Sequence, residues 1–461
     1  MARPALRRVG VAAIEDTAVQ VGFHAPAGLL ELRFRTDRCD TARHDADRYG
    51  HGGRVRIEHP GGPGLVDLAG LPPATVVHIE VVAGRARRTC AARTLPAPPG
   101  AELVRVATVS DLHVGSTIHG LADTMFDRSP YREPAPVRCA RGALREATAW
   151  GAALLVGKGD LTQHGWAEEW QALGDVFEQA APHLPRLGVP GNHDRPAVRD
   201  IAPQHGLLRA GFSEDLLEWS DLPGIRVIAA DSAGDSQGHG SLAAHGDAVV
   251  DLAADAARDG RAVLLCLHHP IERAPLPLQY PKGVAWGEGR ALARRLAAAN
   301  RSTLITAGHT HRNRRRRVAG LVHTEVGSTK DWPGVWGGYA VHEGGIRQVV
   351  RRITAADAIG WIDYTRWAAG GLWWPYAPGR LADRCFTHSL AVVPPGLTDR
   401  PGRSGPAAPP PSVRAGRTPV TESAHTGRSA SQARTAASST WSTATTSPSD
   451  GTVTSSSVTA T

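Results

Sequence analysis

The chain has no continuous apolar stretch long enough to span a bilayer. Its opening, MARPALRRVGVAAIEDTAVQVGF, is basic but is interrupted by Glu15 and Asp16 before any export-signal core can form. A soluble, cytoplasmic protein with no membrane partner is therefore expected. Cysteine is scarce: Cys39, Cys90, Cys139, Cys266 and Cys385 are widely scattered, with no CxxC pair. That spacing argues against a disulfide framework and against a zinc knuckle. Cys266, inside the apolar run AVLLCLHHP, reads as a buried thiol. No internal repeat is visible. Lysine is rare beside arginine, and the net charge is +8. Acidic ligands or nucleic acid would suit that balance, but ordinary solvated faces explain it more simply.

With 461 residues, of which 41% are hydrophobic, the chain can bury a core and exceeds one compact domain. Residues 1–96 hold short apolar runs punctuated by Gly, Pro and Asp, the pattern of a small antiparallel sandwich. The Leu-Pro-Pro of LAGLPPATVVHIEVVAG and the exit RTLPAP resemble the end of a fibronectin type III domain. LPAPPGAE, 95–102, reads as a short stiff linker. Over 103–353, strands alternate with helical segments such as WAEEWQALGDVFEQA and EGRALARRLAAAN, which implies an α/β core with helices on both faces. A tryptophan-rich extension, 354–390, reads as packing against that core. Residues 391–461 are rich in Pro, Ser, Thr and Ala, and are expected to be a disordered tail.

The chemistry sits where the α/β strands end. VSDLHVG supplies Asp111 and His113, and GKGD supplies Asp160. VPGNHD supplies Asn192, His193 and Asp194; CLHHP supplies His268 and His269; AGHTH supplies His309 and His311. Spacing of i and i+2 in an extended strand places Asp111 with His113, and His309 with His311, on common faces. Ligands of open α/β sheets bind at the carboxyl ends of strands. Oxygen and nitrogen donors in that mixture suit Mn, Fe, Zn, Co or Ni. Seven donors drawn from these five strand ends, Asp, His, Asp, Asn, His, His and His, exceed one tetrahedral site and suit two metals that share a carboxylate. Each motif alone is an ordinary turn; their conjunction after successive apolar strands is not.

Taken in order, these motifs resemble the calcineurin-like metallophosphoesterase superfamily over about residues 103–353. The resemblance implies a four-layered α/β/β/α sandwich with a dinuclear centre. It implies Asp111, His113 and His311 around one metal, Asn192, His268 and His309 around the other, and Asp160 bridging. It further implies that a metal-activated hydroxide attacks phosphorus, with His193 contacting the phosphoryl group or protonating the leaving group. Asp194 is expected to orient His193. His164 and His269 are expected to support the ligands or touch substrate. The domain order resembles that of purple acid phosphatases. Their ferric-iron tyrosine would fall at Gln163, so an iron–tyrosinate is not expected.

Three segments near the motifs stay open. The run Arg314–Arg317 reads as a solvated turn in preference to a nucleic-acid surface. The insertion 117–138 is placed to rim the pocket, and STKDWPGVW leaves undecided whether Lys330 or Trp332 reaches substrate. The expected partner is a small phosphate ester, with diesters ahead of monoesters. A nuclease of the same fold and a non-catalytic metal-binding scaffold are the alternatives.

Overall fold

The structure is a computed structural model that describes residues 6–37, 52–120, 124–195, 201–234, 238–276, 279–390 and 413–415. The N-terminal region is all β. A three-stranded antiparallel sheet (Arg7–Ile14, Ala18–Ala25, Gly62–Ala69) faces a four-stranded one ordered Gly52–His59, Gly28–Thr36, Val76–Ala83, Ala86–Arg93. Val77, Ile79 and Val81 alternate with less buried neighbours and meet Val19, Val21 and Leu30 in one core. The strand Ala86–Arg93 is not evident in the sequence. It lies at a sheet edge, and its arginines and threonine leave it without a clear apolar face.

Two larger sheets follow, packed face to face. The first runs Arg186–Val189, Leu154–Lys158, Glu102–Val109, Val335–His342, Gly345–Arg352, Phe386–Ser389, with its first three strands parallel. The second runs Arg314–Val318, Leu321–Glu325, Thr303–Ala307, Ala262–Cys266, Ile225–Ala230, Leu217–Leu222, with Val413–Ala415 at its end. Alternation along single strands builds the layers. Val106 and Leu264 enter the core between the sheets, while their neighbours Ala107 and Val263 face helices. Helices Ala135–Ala149 and Ala167–Ala180 cover the first sheet, and Gly246–Arg258 and Trp286–Ala299 cover the second. The result is four layers, α/β/β/α.

The sandwich docks on the outer strands of the first sheet. Val349 and Cys385 join its core, Arg351 pairs with Glu15 and Asp67, and Arg347 reaches Asp16 at 3.0 Å. Arg314–Arg317 form a strand, not the expected turn. Alternate side chains of that strand are less exposed: Arg314 meets Glu325 at 3.3 Å and Arg316 donates to the Ile271 carbonyl. Four like charges hide the period of two from a hydropathy reading. Cys90, Cys139, Cys266 and Cys385 are free thiols, and Cys266 is buried. No described helix is long and apolar enough to cross a membrane. Apart from 413–415, the tail expected over 391–461 lies outside the described residues.

Candidate metal centre

The strands deliver their polar residues through the loops that follow them, two to five residues past the last strand position. Glu102–Val109 ends before Asp111, and Thr303–Ala307 ends before His309. The pleat therefore does not align the i, i+2 pairs. The backbone instead turns left-handed at each of them: φ is 54° at Asp111, 47° at His113, 48° at Asp160, 69° at His309 and 50° at His311. Non-glycine residues rarely adopt this region, and such strain gathers at functional sites. Two glycines make the close approach possible. Gly159 has φ +83°, and a Cβ there would lie 2.7 Å from the His268 ring. A Cβ on Gly191 would overlap Asp160 Oδ1.

Two sets of side chains converge. Asp111, His113 and His311 bring ligand-capable atoms within 4.8 Å of one another. His268 Nε2 lies 3.2 Å from Asn192 Oδ1 and 3.2 Å from His309 Nδ1. Asp160 stands between the sets: Oδ2 is 3.8 Å from His113 Nε2, and Oδ1 is 3.3 Å from His268 Nε2. His269 joins His268 and His309 within the same 4.8 Å, with its Nδ1 3.2 Å from Ser232 Oγ.

The partners behind these rings fix their tautomers. His113 Nδ1 donates to Gln163 Oε1 at 3.0 Å, His311 Nδ1 to Asp331 Oδ2 at 2.7 Å, and His268 Nδ1 to the Lys158 carbonyl at 2.9 Å. Their Nε2 atoms are then left facing the centre, with lone pairs when the rings are neutral. His113 Nε2 and His311 Nε2 approach to 3.3 Å. Two lone pairs at that distance, beside Asp111 and Asp160, need a positive charge between them. The donor set thus fits a first-row transition metal, in chemistry and in outer support.

Charge balance agrees. Burial alone would raise the Asp160 pKa, but His268, with His193 and His113, outweighs burial and holds the carboxylate well below its ordinary range. Burial disfavours charge on His268; Asp160 and Asp111 overcome it and carry the ring up to about 9. Burial, joined by His268, pushes His309 down to about 3, and burial holds His113 well below its ordinary value.

Asp194 does not take the place expected for it beside His193. Its oxygens accept the amides of Leu161 (3.1 Å), Thr162 (2.8 Å) and Gly191 (2.8 Å), and the Thr162 hydroxyl (2.7 Å). It ties the Asp160 loop to the Asn192 loop. Burial, then Asp160, pushes its pKa up to about 6. His193 is held by other groups. Its amide donates to Asp160 Oδ1 at 2.8 Å, and its Nδ1 meets the Gln163 carbonyl at 3.1 Å. Gln163 Nε2 lies 3.3 Å from the same Nδ1, so Gln163 holds the ring through both its backbone and its side chain. His164 is half-exposed, bonded to Glu169 at 2.7 Å and stacked on Trp166.

The centre opens into a cavity of about 890 Å³. Thr117 to Gly120 of the insertion form part of its wall, with Gln163, Lys330 and Trp373. Gln163 and Asp331 are the supports that sequence reasoning missed as such. In the sequence Gln163 is marked only by the tyrosine it replaces, and Asp331 lies 20 residues from the ring it holds. Burial would raise Asp331, but His311 and His119 outweigh it and hold the carboxylate below its ordinary range.

The family model for the calcineurin-like phosphoesterase matches residues 104–313. No curated protein sequence matches the chain. Among solved structures, a purple acid phosphatase from yellow lupin (Lupinus luteus) seeds is similar at 12% identity and TM-score 0.37, over 78% of this chain and 73% of that one. PhoD is similar at 10% identity and TM-score 0.37, over 74% of this chain and 85% of that one. An inner-membrane-complex anchor of Plasmodium is similar at 12% identity and TM-score 0.40, over 63% of this chain and 89% of that one. Over residues 104–313 the chain thus carries a calcineurin-like phosphoesterase domain.

Proposed function

We propose that the chain hydrolyses phosphate esters at a dinuclear metal centre, with phosphodiesters as its preferred substrates. One observation carries this reading: two sets of acceptor atoms converge from left-handed loops, and each oxygen of Asp160 faces a histidine of a different set. Asp111, His113 and His311 would hold one ion, Asn192, His268 and His309 the other, and Asp160 both. Bound there, two ions neutralise phosphoryl charge and lower the pKa of water. The chain's own groups do the rest. Gln163, Asp331 and the Lys158 carbonyl hold three rings in the tautomers that leave Nε2 facing the centre. His193, with Nδ1 fixed by Gln163, presents Nε2 to protonate the leaving oxygen. A cavity of about 890 Å³ has room for a substituent on each side of phosphorus, as a diester carries.

The sandwich is proposed to be fibronectin-like, and the free thiols support a reducing, cytoplasmic setting. Nucleic acid is not favoured, since the arginine strand is occupied by Glu325 and backbone carbonyls.

The test is hydrolysis of bis(p-nitrophenyl) phosphate beside p-nitrophenyl phosphate, on metal-stripped and metal-restored protein. Diester turnover that requires metal, is abolished in Asp160→Ala and falls about 100-fold or more in His193→Ala is expected. Preference for the monoester would reassign the substrate class. Turnover indifferent to metal would refute the reading.

A further inference from the structure

Four of the strands that lead to the centre change character at their last inward position. Val106, Val156, Leu264 and Leu304 fill the apolar core between the two large sheets. Two residues further along each strand stand Thr108, Lys158, Cys266 and Thr306, all fully buried. Strand side chains repeat every two residues, so these four form one layer between the sheets. It is the last layer before the loops that carry Asp111, Asp160, His268 and His309.

Lys158 is the charged member of that layer, and it joins the sheets. Its Nζ donates to Thr306 Oγ1 at 3.1 Å and to the Ala307 carbonyl at 3.0 Å. Thr306 and Ala307 belong to the second sheet, so the ammonium ties the strand that leads to Asp160 to the strand that leads to His309. The Lys158 carbonyl in turn accepts His268 Nδ1 at 2.9 Å. One residue therefore touches the strand ends that supply Asp160, His268 and His309. The other set is tied elsewhere: Asp111 Oδ1 accepts the His309 amide at 3.0 Å, and Asp331 holds His311 at 2.7 Å. Burying an ammonium is costly, and a methionine of similar length would fill the same space without charge. Packing alone does not call for a lysine here.

Resting on the dinuclear phosphoesterase reading above, we propose that Lys158 is a positioning residue: it sets the reach between the Asp160 carboxylate and the His268–His309 pair, and through that reach the affinity for the ion of that set.

The probe is Mn(II), titrated calorimetrically into the metal-stripped full chain without substrate, with bound metal counted. His309→Ala and His311→Ala assign the two binding steps to the two sets. Lys158→Met should weaken the step that His309→Ala removes by about 10- to 100-fold and leave the other near wild type. Its urea midpoint without metal should not fall. Thr306 Oγ1 keeps the Tyr339 hydroxyl at 2.7 Å, the Ala307 carbonyl keeps the Val326 amide at 2.9 Å, and a buried charge is gone. Thr306→Val removes one acceptor of the ammonium and should move the same step by a smaller factor, which keeps the test intact if Lys158→Met does not fold. Wild-type affinity at that step in both variants would overturn the proposal. So would equal weakening of both steps with a lowered midpoint, which marks a purely structural role. If the wild type binds two ions and Lys158→Met binds both as tightly, the dinuclear reading stands and this proposal alone fails. If the wild type binds only one, the dinuclear reading fails and takes this proposal with it.

Discussion

His113 Nε2 and His311 Nε2 face each other across 3.3 Å, while Gln163 and Asp331 occupy the opposite nitrogens of the two rings. Neither ring can turn away without breaking the bond behind it. The pair is built around a cation, and Asp111 and Asp160 on either side say the same.

That geometry makes Asp331 a determinant of metal affinity. Asp331→Asn keeps the shape but replaces the charged acceptor behind His311 with a neutral amide. Metal affinity should fall about 10- to 100-fold. Competition with a chelator of known strength measures this. Unchanged affinity would mean that Asp331 is only a neighbour.

Asp194 is a brace in this structure, which separates two outcomes for Asp194→Ala. Four donors lose their acceptor, so the variant should lose about 3 kcal/mol or more in urea unfolding. A residue that merely tuned His193 would instead leave stability intact and alter the pH–rate profile.

Gly191→Ala tests the approach of the two loops. A Cβ there overlaps Asp160 Oδ1 and crowds His268 Nε2 at 2.8 Å. Turnover should fall at least about 100-fold and metal binding should weaken, since misplacement by about 1 Å costs that much. Gly287→Ala, where a Cβ meets nothing within 4 Å, is the control expected to behave as wild type.

Glu218 gives a pH signature remote from the metals. One oxygen accepts the Gly188 amide at 3.2 Å, and the other is buried with no hydrogen-bond partner among the described residues. Burial pushes its pKa up to about 8 from an ordinary 4.5. The folded state therefore holds a proton that the unfolded state releases. Stability from this group is complete below 4.5 and declines as pH rises toward 8, by about 1.4 kcal/mol per unit at most. Glu218→Gln should match wild type at pH 4.5 and exceed it in Tm by a margin that grows up to pH 8. A constant difference would contradict the assignment.

What the sequence made legible follows from what strand ends repeat. Asp, Asn and His recur after each apolar run, so the residues that meet at the cavity can be picked out from spacing and residue type. The supports are harder to see. Asp331 reaches His311 from a loop fixed by tryptophans, and Asp194 reaches Thr162 across 32 residues. No local pattern marks either. The alignment of Asp111 with His113 was assigned to the pleat, but left-handed turns produce it, because the ladder stops at Val109. Arg314–Val318 escaped notice because burial of arginine follows ion pairing, which hydropathy does not record.

The most direct measurement is turnover of bis(p-nitrophenyl) phosphate as metal is added back to stripped protein, with bound metal counted in the same samples. The dinuclear account predicts that activity rises to a plateau at two equivalents per chain, and that Asp160→Ala neither binds both tightly nor turns over. A plateau at one equivalent, or full activity in stripped protein, would contradict it.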